Sequence, residues 1–131
     1  MILLDTHAWI WWISSPELIS EAAGKKIEDA VDRGEVHVSA MSCWELALLV
    51  RKGRLELTIP PEEWVARCEA LPFLHFAPFD HRIALLSNRL PGELHEDPVD
   101  RAIIATALTL NVPLVTKDRK IRDYPHVTTL W

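Results

Sequence analysis

Residues 1–14 read MILLDTHAWIWWIS. An apolar run, MILL, ends at an acid, Asp5, and passes directly into THAWIWWIS. A short run that is apolar on both faces is a buried strand. The segment after it is apolar almost all round until Ser14-Ser15-Pro16 closes it, which is the pattern of a buried helix. A buried strand feeding a buried helix is the opening unit of a parallel sheet covered by helices.

The rest of the chain repeats that alternation. PELISEAAGKKIEDAVDRG (16–34) reads as one amphipathic helix, with Leu18, Ala22, Ile27 and Val31 near helical spacing and Gly34 as its stop. VHVS (36–39) is a second strand and AMSCWELALLVRKG (40–53) a helix closed by glycine. RLELTIPP (54–61) is a connection with some β character, and EEWVARCEAL (62–71) a helix after a proline pair. LHFAPF (74–79) is a strand, DHRIALLSNRL (80–90) a helix and PGELHE (91–96) a loop. The helix at 98–111 carries Val99, Ile103, Thr106 and Leu110 on one side and ends at Asn111. PLVT (113–116) and VTTLW (127–131) are the last strands, separated by KDRKIRDYPH (117–126). The expected fold is α/β: a three-layer α/β/α sandwich around a parallel sheet of four to five strands, with residues 1–131 as a single domain.

Composition narrows the classes. At 131 residues with 49% hydrophobic and 25% charged side chains, the chain is an ordinary globular one. A net charge of −5 argues against a broadly basic, nucleic-acid-coating surface. The two cysteines, Cys43 and Cys68, fall in expected helices and read as small buried hydrophobes, not as a disulfide or zinc framework. Asp5 and His7 interrupt the N-terminal apolar run, so it is no signal peptide, and no stretch approaches the ~20 apolar residues of a membrane span. The expected location is the cytoplasm.

Function lies in the placement of four acids. Asp5 ends the first strand, Glu45 lies in the helix after the second, Asp100 opens the late helix, and Asp118 follows PLVT. All of these points fall just beyond a strand's carboxyl end or in the first turns of a helix, where open parallel sheets bind ligands. Each acid also has a local reading. Asp5 suits an N-cap, Ser42 and Glu45 match a capping box, and Asp118 suits a solvated turn. In HEDPVDRAIIATA (95–107), Asp97 suits an N-cap with Pro98 at the first helical position, and Asp100 favours the helix dipole. Taken together, clustered carboxylates repel one another unless a cation neutralises them. Oxygen donors without a histidine or cysteine partner suit Mg²⁺, with Mn²⁺ as a substitute. The chemistry that matches is phosphodiester hydrolysis by a metal-activated water. Asp97, Thr6 and Thr116 stand beside the acids as auxiliary groups able to hydrogen-bond carboxylates or waters.

In order, LLDTHAWIWW (3–12), VSAMSCWELALLVRKGRL (38–55), HEDPVDRAIIATAL (95–108) and LVTKDRKI (114–121) resemble the successive motifs of PIN-domain ribonucleases, in particular VapC-type toxins. The resemblance runs over essentially the full chain. It implies that Asp5, Glu45, Asp100 and Asp118 are the catalytic and metal-holding acids, and that Asp97 is an extra acid of a DP-x-D variant. It also implies an RNA substrate, a small antitoxin partner and a homodimer. The basic clusters Arg51, Lys52, Arg54 and Lys117, Arg119, Lys120, Arg122 are candidate RNA contacts, the second because it flanks Asp118. For the first, a solvated helix C-terminus serves equally well. His7 and His95 lie near the expected cleft without a required role, and one face of the WIWWI helix is a candidate partner surface. Two rivals are a receiver-like signalling domain phosphorylated on an aspartate such as Asp80, with Lys117 after a late strand, and a PIN fold that only binds. The receiver needs an adjacent acidic pair after the first strand, and only Asp5 stands there.

Overall fold

A computed structural model describes residues 1–131. Five parallel strands form one sheet: β1 (Ile2–Leu4), β2 (Val36–Ser39), β3 (Leu74–Ala77), β4 (Leu114–Val115) and β5 (Thr129–Leu130), in the order β3-β2-β1-β4-β5. β1 is central, with Leu4 level with Val38 on one side and Val115 on the other. Alternation along that strand divides the core. Ile2 and Leu4 face the cluster built from α1 (Thr6–Ser14), α2 (Glu21–Asp32) and α4 (Pro61–Glu69). Leu3 faces the opposite cluster, built from α5 (His81–Ser87), α6 (Pro98–Leu110) and α7 (Arg119–Arg122). The remaining helix, α3 (Ala40–Arg51), buries Leu46 in the first cluster and contacts α1, α4 and α6. This is the expected three-layer sandwich, with five strands.

Each helix start follows from local chemistry. Asp5, Ser20, Asp80 and Asp97 each accept an amide three residues on, capping α1, α2, α5 and α6. Asn111 closes α6 in the left-handed conformation, at φ 54°.

Three expectations change. The 16–34 segment is not one helix. Pro16–Leu18 form a single 3-10 turn and α2 starts afresh at the Ser20 cap. Its buried face is Ala23, Ile27 and Ala30, while Leu18 is exposed. Residues 54–61 form no strand. A short helix, α7, appears within the 117–126 connection because Asp118 caps it. Helix α6 is also buried more completely than one apolar side requires, with Ala102 through Ala107 all enclosed.

Ile104 is fully buried and Leu85 is 60% exposed. Urea unfolding should therefore show Ile104→Ala costing about 2–5 kcal/mol. Leu85→Ala should stay within about 0.5 kcal/mol of the unmodified protein.

Candidate active site

Because all strands are parallel, the chain leaves β1, β2 and β4 at one edge of the sheet. The loop before α6 brings that helix's first turn to the same edge. There a cleft of about 410 Å³ is lined by Asp5, Glu45, Asp97, Asp100 and Asp118, with Thr6, His7, Trp11, Ile103 and Lys117. Five acids separated by up to 113 positions in sequence share one hollow.

Asp5 is buried and accepts the Ala8 amide at 2.7 Å. Burial pushes its carboxyl up to about 6, against the Thr116 hydroxyl, the Ala8 amide and His7, which favour the charged form; Asp100 adds repulsion. Asp100 is also raised, first by burial and then by Asp97 and Asp118, while the His95 hydrogen bond opposes the rise. Asp97 caps α6 through the Asp100 amide at 2.9 Å and lines the cleft as well. Asp118 caps α7 through the Lys120 amide at 2.8 Å, and its own amide donates to Thr116 Oγ1 at 3.1 Å.

Glu45 reaches the cleft from the second turn of α3 without acting as a cap. Ser39 caps that helix instead, through the Met41 amide. Ser42 is buried inside the helix and its Oγ accepts the Thr6 hydroxyl at 2.9 Å. The capping-box reading of Ser42 and Glu45 fails because the helix begins before them. For the same reason Thr6 ties α1 to α3 instead of bonding a carboxylate.

Of the basic residues, Lys117 alone lines the cleft, with Nζ 5.7 Å from the centre of the Trp11 ring. Arg119, Lys120 and Arg122 are exposed on α7, and Arg51, Lys52 and Arg54 are exposed at the far end of α3. Sequence reasoning gave no role to His95 or Arg101. His95 Nε2 lies 2.7 Å from Asp100 Oδ2, and Arg101 donates to the Ser87, Leu94 and His95 carbonyls. Their nearness to Asp100 in HEDPVDR was the available signal.

The donor set is oxygen throughout, and its buried members are carboxylates that resist ionisation without a counter-charge. Those properties fit a small, hard divalent cation. No three side chains close into a ready-made cage. Small hard divalent ions are commonly held by only one or two carboxylates, with water and phosphate as the other ligands.

The receiver reading fails on topology. Asp80 follows the edge strand β3 and caps α5 through the Ile83 amide, outside the cleft. The strand order also differs from the 2-1-3-4-5 of receivers.

The PIN-domain family pattern matches residues 2–127. The chain belongs to the PIN-domain family. It is 37% identical to Ribonuclease VapC22 of Mycobacterium tuberculosis, over 99% of this chain and 98% of that protein. Among solved structures, VapBC2 from Rickettsia felis bound to a promoter DNA fragment superposes with a TM-score of 0.72 at 18% identity, covering 99% and 98% of the two chains. A toxin–antitoxin complex from Klebsiella pneumoniae gives 0.66 at 19% identity, covering 100% and 97%. At those identities the structural likeness establishes the fold.

The raised Asp5 carboxyl makes folding pH-dependent. A raised acid favours the folded state fully below its unfolded value, and that advantage is lost as pH rises from about 4 to about 6, a loss of about 3 kcal/mol. In EDTA at pH 8, Asp5→Asn should raise the melting temperature, since the amide oxygen still caps Ala8 and the buried charge is gone. At pH 4 the gain should vanish. A lower melting temperature for the variant at pH 8 would contradict this electrostatic assignment.

Proposed function

We propose that this PIN-domain protein is a metal-dependent endoribonuclease, the toxin half of a toxin–antitoxin pair, and that it hydrolyses RNA phosphodiester bonds with Mg²⁺ or Mn²⁺ in the cleft. The observation that carries the reading is the convergence of Asp5, Glu45, Asp100 and Asp118, from four separate segments, on one hollow at the sheet's carboxyl edge. The similarity to a protein named a ribonuclease supports the choice of RNA as substrate.

In this reading Asp5 and Asp100 hold the cation, with Glu45 and Asp118 completing the charge around it. When bound, a divalent ion supplies Lewis-acid charge to the scissile phosphate and acidifies a water at neutral pH. Glu45 and Asp118 face the same space and accept hydrogen bonds that orient the attacking water. Lys117 draws the RNA backbone to the cleft mouth. Asp97 keeps α6 capped, so Asp100 stays in place. Retention of all four acids in one cleft disfavours a PIN fold reduced to binding alone.

A cytoplasmic ribonuclease needs an inhibitor, and an antitoxin is the partner that the toxin reading requires. Trp11 is the tryptophan of α1 suited to meet one: it is half-buried at the cleft, whereas Trp9 is core and Trp12 packs on Phe73. A homodimer belongs to the same reading. No helix is long and apolar enough to cross a membrane.

With single-stranded RNA and Mn²⁺ or Mg²⁺, the purified protein should cut at discrete sites, and EDTA should stop it. Asp5→Asn and Asp100→Asn should lower the rate by at least about a hundredfold, beyond the usual effect of residues that only support a metal ligand. Asp97→Asn should keep much of the activity, because asparagine caps almost as well. Undiminished cutting by the Asp5→Asn protein would refute the assignment. Titration calorimetry with the antitoxin should show Trp11→Ala weakening the complex by about 2 kcal/mol or more. Unchanged affinity in the folded variant would place that interface elsewhere.

A further inference from the structure

His95 stands in the loop between α5 and α6, five positions before Asp100. Its Nε2 lies 2.7 Å from Asp100 Oδ2, and the two side chains are 22% and 21% exposed. An ionised Asp100 can only accept, and in that state the bond places a proton on Nε2.

The loop that carries the imidazole is strapped down along its length. Tyr124 donates its hydroxyl to the Pro91 carbonyl at 2.5 Å, just before Gly92 turns the chain at φ 69°. Arg101 then closes the other half. Its Nη1 donates to the Leu94 and His95 carbonyls at 3.1 and 3.3 Å, and its Nε to the Ser87 carbonyl at 2.8 Å. Arg101 directly follows Asp100 on α6, so one helical turn presents the acid and anchors the loop that grips it. Two of the three guanidinium nitrogens are thus engaged by backbone carbonyls of the loop and of α5.

We propose that His95 is a positioning residue for the metal-holding carboxylate: its Nε2–H fixes Oδ2 of Asp100 and leaves Oδ1 to meet the cation. The inference rests on the reading of Asp100 as a metal ligand. Its physical basis is orientation. A free carboxylate rotates about its last bond, and only some orientations direct an oxygen into the cleft. A hydrogen bond from a strapped loop selects among them before the ion arrives. Groups that orient a ligand in this way typically change metal affinity or activity by about 10–100-fold when removed. A pair serving only the fold would change stability when broken and leave ion binding unaffected.

The experiment is Mn²⁺ binding to the full chain, followed by electron paramagnetic resonance and calorimetry, with RNA-cleavage kinetics beside it. The variants are His95→Ala, His95→Gln and Asp100→Asn, each checked for folding by circular dichroism. His95→Ala should bind Mn²⁺ about 10–100-fold more weakly and lose kcat with little change in KM for RNA. His95→Gln should recover most of both, because its amide nitrogen can donate from nearly the same place as Nε2. Asp100→Asn should lose Mn²⁺ binding. If Asp100→Asn loses it while His95→Ala binds like the unmodified protein, the positioning role is wrong and the metal reading stands. If His95→Gln is as impaired as His95→Ala, a hydrogen-bond role is again excluded. Undiminished Mn²⁺ binding by Asp100→Asn would instead remove the metal reading itself, and the positioning role with it.

Discussion

The carboxylate of Asp5 is buried where β1 ends and α1 begins, and the organisation of the site depends on its being tolerated there. Capping Ala8 at 2.7 Å and the Thr116 hydroxyl offset part of the cost of burying it. Burial still holds its carboxyl at about 6, because its charged form is disfavoured in that position. Strain of this kind concentrates at working sites, where function is retained at the expense of stability. A parallel sheet makes the arrangement economical. Three strands deliver chain to the same edge, and α6 needs only a strapped loop to add Asp100.

The cleft's electrostatics bear on substrate as well as chemistry. Five acids line it against one lysine, within a chain of net charge −5. Without a counter-ion that surface repels an RNA backbone. In the ribonuclease reading a divalent ion is therefore needed for the phosphate to approach, before any bond is broken. The exposed Arg119, Lys120 and Arg122 of α7 lie beyond the cleft's lining and steer from a distance at most.

Much of this was legible in the sequence because the strands are short apolar runs and several helices begin at a side chain able to cap. Asp97 followed by Pro98, and Asn111 at the far end, mark α6 unambiguously. Apolar spacing misled where proline intervened: Leu18 and Ala22 are four apart, as on one helix face, but Pro16 starts a separate turn and Leu18 is left exposed. The box formed by Ser42 and Glu45 misled for a different reason. Ser39 had already started the helix, which released Ser42 to Thr6 and Glu45 to the cleft. His95 and Arg101 act through bonds whose partners depend on how a ten-residue connection folds back, residues 88–97, and periodicity carries no information about that path.

The most direct measurement is an anomalous difference map from crystals of the protein soaked in Mn²⁺. The result expected is a peak in the cleft about 2.1 Å from a carboxylate oxygen of Asp5 or Asp100, the distance usual for a small octahedral divalent ion. Saturating Mn²⁺ with no peak there, or with the ion bound only elsewhere on the surface, would contradict the assignment of these acids as the metal site.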